Sequence, residues 1–94
     1  MIEISEVQIT LPKRESNPKL KAYANLIFNN AFIVKGLRII EGNKGFFVVM
    51  PNNKKPDGGF QDVAHPLNNE FRKIIEDRVM EEYELRLNQQ RAAD

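Results

Sequence analysis

Lys54 and Lys55 are adjacent in the run PNNKKPDGG, residues 51–59. Pro51 and Pro56 restrict the backbone on either side, and Asp57–Gly58 is a turn dipeptide. Two ammonium groups held on a short, stiffened loop lose little entropy on meeting phosphates. A polyanion is the ligand such a loop suits. A charge pair is also common on any surface, so the residues alone leave a solvated loop with incidental lysines open. Lys35, Arg38 and Lys44 could extend the basic set, as could Lys13, Arg14, Lys19 and Lys21, though not all can share one face.

Other chemistries find less support. His65 is the one imidazole, and a general base needs a partner to orient it and a pocket beside it. Asp62 lies three residues upstream, which in extended backbone puts the two side chains on opposite faces. A structural histidine bonded to loop backbone before a helix is the favoured reading, with no catalytic residue. With no cysteine and a single histidine, the carboxylates read as helix-surface charges rather than metal ligands. The glycines match neither GxGxxG nor GxxxxGK[ST] and read as turn and bulge residues, so no cofactor is expected. Tyr23 sits between Lys21 and Asn25 on the polar parity of a strand. It could stack on a base or face a second copy, while the other aromatics mostly occupy core-like positions.

These residues must be positioned by a single small domain of 94 residues, expected over residues 1–90 with a frayed tail at 91–94. The net charge of +1 conceals an asymmetry. Residues 1–60 hold nine Lys/Arg against five Asp/Glu, and residues 61–94 hold five against eight. A basic sheet-and-loop half backed by an acidic helix is a better argument for nucleic acid than the overall charge. Nothing approaches the ~20 apolar residues of a membrane span, the opening MIEISEV lacks a signal-peptide layout, and the lack of cysteine fits the cytoplasm.

Residues 2–11 alternate as a strand whose phase slips at Ser5–Glu6, which predicts a bulge. Leu20, Ala22, Ala24, Leu26 and Phe28 make one apolar face of a second strand. Asn29–Asn30 predicts a tight hairpin turn. The third strand, residues 32–41, changes phase around Gly36, where a second bulge belongs. Gly42, Asn43 and Lys44 turn the chain again. The continuous run of residues 46–50, FFVVM, predicts a central strand covered on both faces, and residues 60–64 a short edge strand. Phe71, Ile75, Val79, Tyr83 and Leu87 then recur every four residues, an amphipathic helix that Asn68 or Asn69 can cap. The fold class is α+β, an antiparallel β-meander of four to five strands with one C-terminal amphipathic helix packed on it. Exposed strand edges and small size favour a homodimer.

The pieces LRIIEGNKG, FVVMP, the charged loop leading into PDG, and QDVAHP before the helix occur together in residues 31–68. With the opening EISEVQI and the helical EEYE, this combination resembles the stage V sporulation protein G (SpoVG) family of septation regulators over residues 1–83. The resemblance implies a small, dimeric, cytoplasmic bacterial protein that is not an enzyme. It implies DNA binding, and RNA binding in some members, serving transcription regulation, septation, sporulation and the cell cycle. The family commonly carries a basic pair before TPDG; here the pair is Lys54–Lys55, followed directly by Pro56 without the Thr. Lysine acts as a point charge where arginine can grip guanine with two bonds, so this pair implies phosphate contact more than base selection. The leading expectation is a homodimeric nucleic-acid-binding regulator using Lys54 and Lys55, with Lys35, Arg38 and Lys44 as further contacts. The rival is a septum-associated interaction module that docks a protein through its strand edges and the acidic helix face of Glu70, Asp77, Glu81 and Glu84.

Overall fold

The computed structural model describes residues 2–12 and 18–93, with side chains through residue 89. Lys13 and Arg14 lie outside the described residues. The alternating segments become β1 (Ile4–Thr10), β2 (Leu20–Phe28), β3 (Phe32–Gly42) and β4 (Gly45–Val49). They pair antiparallel in the order β1-β2-β3-β4. A separate hairpin of β5 (Asn52–Lys54) and β6 (Phe60–Asp62) follows, and then α1 (Asn69–Ala93). The fold is α+β, as the periodicities predict. The helical backbone runs to Ala93, into residues 91–94 where a frayed tail is expected.

Local signals account for the bends. The β1–β2 register shifts between Ile4 and Glu6, where the phase slip falls. Asn29 and Asn30 adopt φ of 52° and 54°, the paired left-handed conformations that turn β2 tightly into β3. Between Ala24 and Leu26, β3 supplies the extra residue, with Gly36 at φ 92°. There a Cβ would be strained, and the bulge flips Leu37 and Ile39 into the core after Val34. Without that flip β3 would turn its second apolar pair to solvent.

The core lies between the sheet and α1. Ala22, Ala24, Leu26 and Phe28 from β2 meet Leu37 and Ile39 from β3, Val48 from β4, and Ile75, Val79 and Tyr83 from the helix. Phe28 stacks obliquely on Phe71 (centroids 6.3 Å apart), and Phe46 meets Tyr83 edge-on at 6.1 Å. Arg78 Nη1 donates to the carbonyl of Ile4 (3.0 Å), tying the helix to the start of β1. Asn68 caps α1: its Oδ1 accepts from the amide of Phe71 at 2.7 Å. Asn68→Ala should cost about 1 kcal/mol, read as a small drop in melting temperature with unchanged far-UV dichroism.

Two expectations need correction. The FFVVM run is not a central strand: β4 is the outer strand of the sheet, and Phe46 and Phe47 are each 46% exposed. Its apolar residues divide between the two faces of an edge, and continuous hydrophobicity cannot distinguish that from burial on both sides. The piece at residues 60–64 does form a strand, but it pairs with β5 rather than extending the meander. The lysine loop is thereby a hairpin in its own right.

Candidate functional site

The β5–β6 hairpin is braced from base to tip. At its base the amide of Val63 donates to Pro51 O (2.7 Å), and Asn52 Nδ2 donates to Met50 O (3.1 Å). Asn52 then pairs with Asp62, Asn53 with Gln61, and Lys54 with Phe60. At the tip the amide of Lys55 donates to Gly59 O (2.7 Å), and that of Gly58 to Lys55 O (3.0 Å). Asp57 Oδ1 accepts from the amide of Gly59 at 2.9 Å. Gly58 takes φ 94°, a conformation open to glycine at little cost. The stiffened presentation inferred from Pro51, Pro56 and the Asp-Gly pair is therefore built from hydrogen bonds as well as prolines.

Lys54 ends β5 and Lys55 begins the turn, both exposed. Neither forms an ion pair among the described residues. Within residues 52–62 the two lysines are matched by Asp57 and Asp62. The hairpin alone is formally neutral, so its attraction for anions depends on what lies beside it. Arg38 of β3 reaches the base, its Nη2 set 3.5 Å from Asn52 Oδ1. Lys35, exposed, immediately precedes Gly36, where an added Cβ would sit 4.0 Å from that of Pro51. Arg38 and Lys35 thus adjoin the hairpin and tip the local balance to positive.

Lys44 does not join them. It occupies the β3–β4 turn, at the opposite end of β4 from the hairpin. Lys21 is engaged with Glu41 at 3.3 Å. The aromatics also depart from expectation. Phe32 is 67% exposed and Phe60 68%, so the assignment of the phenylalanines to core-like positions fails for these two and for the β4 pair. Phe60 faces Lys54 across the hairpin, an exposed ring beside an exposed cation. Its place after Gly58–Gly59 was the available signal: an apolar residue leaving a turn, with no apolar neighbour two positions away.

His65 donates from Nδ1 to the carbonyl of Pro66 (3.0 Å), the backbone role expected of it. It borders an open groove whose walls are largely apolar, including Ile2, Ile4, Leu67, Phe71 and Ile74. No hydrogen bond joins its ring to a carboxylate among the described residues, though Glu3 and Glu70 line the same groove.

The SpoVG family model matches residues 2–85. The chain belongs to the SpoVG family. Relatives named "Putative septation protein SpoVG" agree in extent. The one from Archaeoglobus fulgidus is 48% identical over 84 residues, 89% of this chain and 96% of the relative. That from Bdellovibrio bacteriovorus is 44% identical over 86 residues, 92% of this chain and 77% of its own. That from Staphylococcus saprophyticus is 45% identical over 76 residues, 81% and 75%. The SpoVG match thus spans the sheet, the lysine hairpin and most of α1. These names describe septation proteins. No helix among the described residues is long and apolar enough to cross a membrane.

Proposed function

We propose that this SpoVG-family chain is a cytoplasmic nucleic-acid-binding regulator of gene expression, septation and sporulation that works as a homodimer. The supporting observation is the braced hairpin, which presents Lys54 and Lys55 clear of carboxylate partners. Lys35 and Arg38 flank it, and Lys44 stands apart at the other end of β4. The outer edge of β4 offers unpaired backbone to a second copy, and a two-fold axis would then supply two hairpins to one duplex.

A dimer that neutralises about four phosphates lowers log affinity against log salt with a slope of roughly −3.6. A gel shift of duplex DNA and RNA across a salt series measures it, and a flat response removes the phosphate grip. Light scattering at micromolar concentration should give twice the 10.9 kDa chain mass. The second reading, a septum-associated docking module, draws on the exposure of Glu70, Asp77, Glu81 and Glu84 along α1. A pulldown from the same preparation that yields a salt-resistant protein complex, with no nucleic acid retained, favours it.

A further inference from the structure

The face of the four-stranded sheet turned away from α1 has no element packed on it among the described residues, and its composition is unusual. Tyr23 of β2 stands opposite Arg38 of β3, which stands opposite Val49 of β4. In the adjoining row Ile40 stands opposite Phe47. Tyr23 is 41% exposed and Phe47 46% exposed, over a half-buried floor of Ile40 and Val49. Two strand spacings and a two-residue offset set the two aromatic positions roughly 12 Å apart. That exceeds the 4.5–7 Å of ring–ring contact, so the two rings do not stack on each other; the Phe47 ring lies along Gly42 and keeps its exposed side for a partner.

The charges decide what the partner is. Arg38 and Lys35 belong to this face, and the carboxylate of β3, Glu41, is engaged by Lys21. The remaining acid, Glu6, lies two strands away on β1, bonded by Gln8 Nε2 at 2.9 Å. A second copy laid face to face, with Arg38 and Lys35 over their own counterparts, would oppose like charges in a desolvated interface, which is unfavourable. A duplex hides its base faces in its own stack. A single strand offers both missing complements, unstacked bases for the rings and phosphates for the cations. The face also runs into the lysine hairpin through the Arg38–Asn52 contact.

We infer that the open sheet face is a binding site for single-stranded nucleic acid, with Tyr23 and Phe47 each stacking one base and Arg38 and Lys35 holding the backbone. The inference rests on the nucleic-acid reading above but on different residues from the hairpin lysines. The chain has two tyrosines and no tryptophan, and Tyr83 is buried away from this face, so a change in tyrosine emission on adding a ligand reports on Tyr23 above the constant contribution of Tyr83.

The test titrates oligothymidylate, oligouridylate and a DNA duplex into the full chain. Expected is quenching of tyrosine emission by the single strands, and about a tenfold or greater loss of single-strand affinity for each ring removed in Y23A and F47A. Y23F should bind as the unaltered protein does, and duplex affinity should hold in all three. Oligothymidylate bound better or worse than oligouridylate separates a DNA from an RNA preference without altering the site. Unquenched emission, or Y23A/F47A binding single strands normally, overturns the inference. So does a change of mass in light scattering for that variant, which would make the face an interface between copies. A protein that binds duplex but no single strand defeats this inference and leaves the hairpin reading standing; one that binds neither defeats both.

Discussion

Leu26→Ala should lower stability by about 3–5 kcal/mol, while Ile27→Ala, one residue on, should cost about 1 kcal/mol or less. Leu26 is 1% exposed and lies between Val7 and Val34 beneath the helix layer. Its truncation leaves a cavity that rigid strands on both sides cannot close. Ile27 points to the other face and is only half-buried, so its loss removes contacts without opening a void. A domain of this size has about 5–15 kcal/mol in total, so the first change alone should lower the melting temperature by roughly 15–30 °C. Thermal melts followed by far-UV dichroism measure both. Equal losses would mean that a second layer covers the open face, and the single-strand site would fall with it.

That contrast was legible in β2 from the sequence, because strict alternation of Ala22, Ala24, Leu26 and Phe28 assigns the buried parity directly; Leu20, expected on the same face, leaves it because the register shifts between Leu20 and Ala22. Two of the three register shifts were legible for the same reason: a change of apolar phase at Ser5–Glu6, and another around Gly36, can be absorbed only by an extra residue. The helix and its Asn68 cap follow from a period of four and a polar residue at its start. What escaped was lateral position. FFVVM has the same pattern at an edge as at the centre of a sheet, since strand order depends on which hairpin closes next to which. The hairpin after Pro51 escaped too, because NNK has little strand propensity and forms β5 only through its pairing with β6. At the site, the pair Lys54–Lys55 and its bracing were visible as residue types. The grouping of Lys35 and Arg38 with it, and the removal of Lys44 from it, required the register of β3 on β4.

The other large effect belongs to the hairpin. Lys54→Ala/Lys55→Ala should weaken duplex binding by about a thousandfold near 0.15 M salt, because about four released counterions in a dimer account for that much affinity at that concentration. The salt slope should flatten to the remainder left by Lys35 and Arg38, and the loss should be alike for unrelated sequences, since lysine meets phosphate as a point charge. Gly58→Val separates charge from bracing. It leaves both lysines in place but strains the turn at φ 94°. If pre-organisation matters, affinity should fall while the slope stays near −3.6, because the same counterions leave a loop that must first be ordered. Lys73→Ala, on the helix and 3.5 Å from Asp77, supplies the control and should change neither quantity. Gel shifts of the three variants over one salt series give affinity and slope together. A double-alanine variant that kept its slope would place the phosphate contacts elsewhere on the chain, and Gly58→Val matching the unaltered protein would show that the lysines need no rigid mount to grip a polyanion.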